Sequence, residues 1–145
     1  MLCTGSPDGS VTVLDGATLK RKRSFGAGVT AGPAVNADGL VAVVSGQLVS
    51  AYDLASGERR WSLLPTLTEG AAQEVYFAGD RVLAAAKNEV VSIPAAGPAS
   101  DEDYESFEAK LPDGFALESG GRPLASGGAA FVSFPDGFVF SAYLP

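Results

Sequence analysis

Apolar and polar residues of this chain fall into short runs separated by turn residues, and the same arrangement occurs four times. Each unit has an apolar run rich in β-branched or aromatic residues, a turn of two or three residues and a second such run. The runs join 2–6 to 10–15, 39–45 to 48–53, 81–86 to 90–93 and 129–134 to 138–143. This pattern predicts β-hairpins, and helical periodicity is nearly absent. The prediction is strongest at Asp8-Gly9 and Asp136-Gly137, because glycine readily adopts the positive φ of tight hairpin turns.

The four hairpins recur at a spacing typical of propeller blades. Turn positions 8, 46, 87 and 136 are 38, 41 and 49 residues apart, and periods of about 40–50 residues with several strands per unit are typical of β-propellers. Strand-like runs precede three hairpins, at 32–36, 74–78 and 123–126, and follow two, at 19–25 and 59–63.

The sequence therefore predicts an all-β fold, a partial β-propeller with about three and a half four-stranded antiparallel blades. One domain covers 1–145, with blades near 1–25 (incomplete), 26–66, 67–111 and 112–145 (incomplete). Such an arc is expected to be a piece of a larger propeller or, as an alternative, a half-propeller that associates with a second copy.

The second unit carries the most specific motif of the chain. Ala51, Asp53, Ser56, Gly57 and Trp61 resemble the repeat of pyrroloquinoline-quinone-like propellers, in which alanine, aspartate, threonine, glycine and tryptophan have this spacing. The aspartate is expected to accept backbone N–H bonds at the turn between the third and fourth strands, and the glycine to adopt a left-handed backbone there. The tryptophan would then fill the wedge between adjacent blades.

The first unit aligns with this motif without gaps but keeps only part of it. Asp15 and Thr18 match the aspartate and the serine, whereas Leu19 stands where glycine is expected and Arg23 where tryptophan is expected. The third and fourth units keep only the hairpin.

A finer resemblance covers residues 11–86, with Leu14-Asp15-Gly16, the 52–57 motif and Trp61. This stretch is similar to the luminal propeller family of subunit 1 of the endoplasmic-reticulum membrane protein complex, a non-catalytic member of the class. That resemblance implies a place in a membrane protein insertase or chaperone complex, with other subunits as partners. Generic repeat proteins and bacterial assembly-factor propellers share most of these residues, and they imply an extracytoplasmic location instead.

Composition and charge exclude several functions. A net charge of −7 over 145 residues argues against nucleic acid, because affinity for phosphate backbones comes from clustered Lys and Arg. The sequence contains no histidine, which removes Ser-His-Asp and Cys-His catalysis and histidine-ligated metal sites. Cys3 is the single cysteine, so the chain has no internal disulfide. No apolar run reaches the roughly 18 residues of a membrane span.

We expect no cofactor, no metal and no enzymatic activity. Resemblance to quinone-dependent dehydrogenases of the propeller class would imply a calcium site and a tryptophan that stacks on the quinone. Trp61 is the only tryptophan and already has the interblade position. The sequence thus favours a scaffold for protein–protein interaction. The alternative is a fragment of a propeller enzyme, a quinoprotein-like oxidoreductase or a hydrolase, whose active residues lie outside this chain.

An acidic run at 101–108 is interpreted as a solvated insertion where the third blade should have its fourth strand. As an alternative, this run docks a basic partner, with Tyr104 and Phe107 as anchors. Binding of Ca²⁺ by Asp101 and Asp103 is a further alternative, although the spacing of an EF-hand loop is missing.

The basic run Lys20, Arg21, Lys22 and Arg23 is interpreted as charge on an outer edge strand that discourages strand addition by other chains. Alternate side chains of a strand face opposite ways, so the run is not one continuous patch. Contact with anionic lipid headgroups or an acidic partner, and a nuclear import signal, are the alternatives.

Overall fold

The computed structural model describes residues 1–6, 8–68, 70–86, 89–108, 122–126, 129–133 and 139–143, with backbone alone from 107 onward. Among these residues there are fourteen strands and no helix, and none forms a helix long and apolar enough to cross a membrane.

The strands form four antiparallel sheets that follow one another along the chain. Blade 1 contains β1 (Leu2–Gly5), β2 (Val11–Leu14) and β3 (Arg21–Phe25). Blade 2 contains β4 (Val29–Val35), β5 (Leu40–Ser45), β6 (Leu48–Asp53) and β7 (Arg59–Leu63). Blade 3 contains β8 (Glu74–Ala78), β9 (Arg81–Ala86), β10 (Glu89–Pro94) and β11 (Glu105–Glu108). Blade 4 contains β12 (Arg122–Ser126), β13 (Ala129–Ser133) and β14 (Val139–Tyr143).

Each sheet is a meander in which neighbours in sequence are neighbours in space. The first strands of consecutive sheets contact one another, β4 with β8 and β8 with β12, while β1 contacts β4. Sheets that meet through their first strands while their last strands lie at free edges have the geometry of propeller blades. The predicted fold class, an all-β partial propeller, is therefore confirmed.

Apolar side chains fill the spaces between blades. Because successive side chains of a strand point to opposite faces, Val11 and Val13 of β2 point toward blade 2, where they pack with Val41 and Val43 of β5. All four are fully buried. At roughly 1.5–3 kcal/mol for burying one valine side chain, these contacts contribute substantially to holding blade 1 against blade 2.

The largest apolar cluster lies between blades 2 and 3. Val44, Val49 and Leu63 of blade 2 meet Val82 and Ile93 of blade 3 there, and all five are buried. The opposite face of blade 3 carries a smaller buried cluster, made of Ala78, Leu83, Ala85 and Val90.

The acidic run does not replace the fourth strand of blade 3, so that prediction is wrong. Residues 101–102 form a turn, and Glu105–Glu108 is strand β11, paired with β10 from Ser92↔Glu105 to Glu89↔Glu108. An outermost strand keeps its charged side chains in water, and Glu105 is exposed. A high density of carboxylates is therefore compatible with this position in the sheet.

Candidate functional site at the interblade turns

The turn between the third and fourth strands of blade 2 is organised by one aspartate. A carboxylate oxygen of Asp53, Oδ1, accepts the backbone N–H of Ser56 at 2.8 Å, and Oδ2 accepts Arg60 Nη2 at 3.1 Å. The backbone N–H of Gly57 donates to the carbonyl of Asp53 at 2.7 Å. Gly57 has φ +77°, the left-handed conformation that glycine adopts at little cost.

The turn of blade 1 repeats this network at equivalent positions. Asp15 Oδ1 accepts the backbone N–H of Thr18 at 2.9 Å and its hydroxyl at 3.0 Å, and Lys22 Nζ lies 2.9 Å from Asp15 Oδ2. Leu19, at the glycine position, has φ +56°. The left-handed backbone at this position of the turn is thus kept, although a leucine adopts it less readily than a glycine. Sequence reasoning missed the repeated ion pair, whose signal is a basic residue seven positions after the aspartate.

Both aspartates are held in the charged form. The hydrogen bond from the Lys22 ammonium, followed by those from Thr18, lowers the pKa of Asp15 well below its ordinary value. The backbone N–H of Ser56 is the main cause that lowers the pKa of Asp53. Hydrogen bonds to a carboxylate favour its charged form, so both carboxylates stay ionised at neutral pH and remain paired with Lys22 and Arg60.

Trp61 lies between blades 2 and 3. Its indole Nε1 donates to the carbonyl oxygen of Ala95 at 2.9 Å, and its ring packs against the apolar cluster between these blades. Gly97, with φ +115°, lies so close that an added Cβ would be 2.9 Å from Cδ1 of the indole. Ala51 is buried and is the partner of Trp61 in the register of β6 and β7. Sequence reasoning missed Gly97, for which the signal was a glycine 40 residues after Gly57.

Arg23 occupies the corresponding position between blades 1 and 2. An added Cβ at Gly57 would be 3.2 Å from Phe25 Cδ1 and 3.6 Å from Arg23 Cδ, so the aliphatic stem of the arginine covers the glycine. Phe25 also stacks on Tyr52, with ring centroids 5.1 Å apart. Arginine can pack in this way because its stem is apolar while its head stays in water.

The other basic residues of the run 20–23 do not form one continuous patch. Lys22 pairs with Asp15, while Lys20 and Arg21 are exposed. The run therefore divides into one packed side chain, one ion pair and two exposed charges.

Tyr104 is engaged within the chain rather than presented as a free anchor. Its hydroxyl accepts the backbone N–H of Thr66 at 3.0 Å, and its ring packs against the cluster between blades 2 and 3. The side chain of Phe107 lies outside the described residues.

The carboxylates proposed to bind Ca²⁺ are not arranged as a metal site. Asp103 Oδ2 accepts the backbone N–H of Ala99 at 2.7 Å. In the described part of the chain no three Cys, Asp or Glu side chains are placed to hold a metal ion.

Cys3 is half-buried and packs on the cluster between blades 1 and 2. Burial raises the pKa of its thiol. Since the thiolate is the nucleophilic form, this environment suits a packing role.

A groove opens between blades 2 and 3 at the end of the sheets where these turns lie. Its volume is about 480 Å³, and its lining combines Asp38, Asp80 and the Asp53–Arg60 pair with apolar side chains such as Leu40 and Pro94. Asp38 and Asp80 are exposed, and no described residue donates a hydrogen bond to either carboxylate or forms an ion pair with it. The groove is a candidate site for ligand recognition, and sequence reasoning did not identify it.

Comparison with known proteins places the chain in a family. Residues 7–141 match the model of the PQQ-like repeat family described as outer membrane protein assembly factor BamB. No curated protein sequence matches the chain. The finer resemblance to subunit 1 of the endoplasmic-reticulum complex receives no support from these comparisons.

Solved structures with similar folds share little sequence with the chain. BamB from Moraxella catarrhalis is 14% identical with a TM-score of 0.62, and the match covers 98% of this chain and 45% of that one. The computationally designed Ika4 protein is 17% identical with a TM-score of 0.65, covering 99% and 84%. Sqt1 from Saccharomyces cerevisiae is 13% identical with a TM-score of 0.63, covering 99% and 41%. The chain thus spans less than half of the BamB and Sqt1 chains, and these likenesses show the fold alone.

Proposed function

The chain belongs to the PQQ-like repeat family described as outer membrane protein assembly factor BamB, and on that premise we propose that it acts as a non-catalytic propeller scaffold for protein–protein interaction. Its partners are other subunits of a larger, membrane-associated complex. Outer-membrane protein assembly, the role named in the family description, is the form of this function that the comparison favours. The match over residues 7–141 is the observation that carries the proposal.

The contacts of four aromatic side chains in the described part of the chain support a non-catalytic role. The indole of Trp61 is committed to Ala95 and Gly97, Phe25 stacks on Tyr52, and the hydroxyl of Tyr104 bonds Thr66. These contacts join strands, blades or connections within the chain. Rings that hold the blades together in this way are not available to stack on a bound quinone.

The exposed turns support a recognition role. In propeller scaffolds the loops that join the strands are free to vary, because the sheets carry the stability. Here the turns at one end of blades 2 and 3 enclose a groove with mixed charge and apolar surface. A protein partner can contact such a surface without disturbing the packed blades.

Co-purification from the native host tests the proposal. The tagged full-length protein is crosslinked in cells and purified from the membrane and soluble fractions. A scaffold is expected to bring down one or more partners in fixed stoichiometry from the membrane fraction. If it purifies alone and reduces an artificial electron acceptor with alcohol or sugar substrates, the enzyme alternative replaces the scaffold.

A further inference from the structure

We infer that the groove between blades 2 and 3 binds an extended segment of a partner protein through a single Lys or Arg side chain flanked by small apolar residues. This inference rests on the proposed scaffold function and names the chemistry of the partner. It is carried by three properties of the groove: its preformed walls, its apolar lining, and two carboxylates that pair with no other described residue.

The walls of the groove are fixed by backbone hydrogen bonds. In blade 2 the N–H of Leu54 donates to the carbonyl of Gly39 at 2.8 Å, and in blade 3 the N–H of Ala95 donates to the carbonyl of Asp80 at 2.8 Å. Each bond ties two turns of one blade together. The Trp61–Ala95 hydrogen bond then joins the two blades. A site that is already ordered loses less entropy on binding.

The charged side chains that line the groove are three aspartates and one arginine, so the groove favours a cationic ligand. Asp53 is paired with Arg60, so that carboxylate and that guanidinium neutralise each other. Asp38 and Asp80 belong to turns of different blades and line the same groove, and neither has an ion-pair partner among the described residues. A guanidinium or ammonium group that enters the groove would form charge-assisted hydrogen bonds with these carboxylates, and such bonds are stronger than neutral ones.

The apolar lining indicates what flanks the cation. Leu40 and Pro94 are partly exposed in the groove, and Ala96 is exposed. These side chains offer contact to small apolar neighbours of the basic residue. A volume of about 480 Å³ lies within the roughly 300–1,000 Å³ typical of ligand sites, which suits a short segment and not a folded domain.

The probe is a blocked pentapeptide, Val-Ala-Arg-Ala-Val, together with the same peptide carrying neutral citrulline in place of arginine. Each is titrated into isotope-labelled protein while the amide NMR signals are followed. The arginine peptide is expected to shift the amides of 36–40, 79–80 and 94–96, and the citrulline peptide to bind at least about tenfold more weakly. Equal binding of both peptides, shifts confined to other regions, or no binding at all would overturn the inference.

Matched variants separate a specific site from general acidity. Asp38→Asn/Asp80→Asn and the control Asp101→Asn/Glu102→Gln remove the same charge from exposed positions. The Asp38/Asp80 double substitution is expected to weaken binding of the arginine peptide at least about tenfold, and the control double substitution is expected to weaken it less than twofold. An equal loss in both would show long-range electrostatics only and reject the groove. Thermal melts confirm that both variants fold.

The co-purification assay keeps the two proposals distinguishable. If Asp38→Asn/Asp80→Asn retains its stoichiometric partner in the native host, the groove assignment fails while the scaffold function stands. If the parent protein captures no partner either, the scaffold function fails.

Discussion

The indole N–H of Trp61 in blade 2 donates to the carbonyl oxygen of Ala95 in blade 3 at 2.9 Å. The two residues are 34 positions apart, and Ala95 lies in the turn directly after β10, so one side chain joins two blades. The contact lies beside the groove, in which Ala95 is also a lining residue. The same hydrogen bond therefore contributes both to the packing of the two blades and to the shape of the candidate site.

Truncation of this tryptophan is expected to be costly. Trp61→Ala removes a large ring from the apolar cluster between blades 2 and 3 and should lower the free energy of unfolding by about 3 kcal/mol, within the range for deleting a packed aromatic side chain. Trp61→Phe keeps most of the ring but loses the N–H, and should cost about 1 kcal/mol. Urea unfolding followed by circular dichroism measures both. A Trp61→Ala variant whose free energy of unfolding lies within about 0.5 kcal/mol of the parent's, as for a surface substitution, would mean that the ring is not packed.

Gly97 should tolerate no side chain while Trp61 is present. An added Cβ would meet the indole at 2.9 Å in a backbone with φ +115°, so Gly97→Ala is expected to destabilise the fold by roughly 2 kcal/mol or more. Gly46→Ala is the control, because Gly46 also has a positive φ, +62°, but no atom within 4 Å of the added carbon. The excess cost at Gly97 should shrink in a Trp61→Ala background. Equal losses of stability in Gly97→Ala and Gly46→Ala would contradict a steric contact between residue 97 and Trp61.

Replacement of Leu19 by glycine is expected to stabilise the fold. Its φ of +56° places a leucine in the left-handed region, which costs an L-residue roughly 1–2 kcal/mol, and its side chain is 61% exposed. Leu19→Gly relieves the strain but gains chain entropy in the unfolded state, so a net stabilisation of about 0.5–1 kcal/mol is expected. Leu19→Ala keeps the Cβ and should leave the melting temperature nearly unchanged. Destabilisation by glycine would contradict the repeat alignment with Gly57.

The contribution of Asp15 to stability is expected to fall at acidic pH. The pKa of Asp15 is lowered in the fold, mainly by Lys22, so its contribution to stability is complete above the unfolded value of about 3.9 and is lost as the pH falls through the folded pKa. The difference in urea midpoint between the parent and Asp15→Asn should therefore be largest near neutral pH and should narrow below about pH 4. Lys22→Gln should reduce the same difference, whereas Lys20→Gln, at an exposed lysine without an ion pair among the described residues, should not. A difference that stays constant with pH would exclude the ion pair as its source.

The sequence predicted the hairpins and the fold class because those depend on local signals. Asp53, Ser56 and Gly57 form a turn whose hydrogen bonds stay within a few residues, so their spacing shows in the sequence. Gly97 was missed because Ile93 and Ala96 stand where the 40-residue spacing would place the aspartate and the serine of the motif, and because its contact is with Trp61 from another blade.

The acidic run shows a second limit of local reasoning. Glu105–Glu108 looked like a solvated loop, since its composition is typical of one. Pairing with β10 makes it a strand, and only the tertiary fold reveals that its exposed outer edge tolerates the charge. The groove was missed for the same reason, because Asp38 and Asp80 are 42 positions apart and line one groove only when two blades pack.

Packing of blade 2 against blade 3 is the claim on which the fold, the groove and the proposed partner all depend. Since Trp61 is the only tryptophan, its indole N–H gives one resolved proton signal, and nuclear Overhauser effects from that proton measure the contact most directly. Cross-peaks to protons of Ala95 and Gly97 are predicted. Cross-peaks confined to residues of β6 and β7, with none to 94–97, would contradict the account.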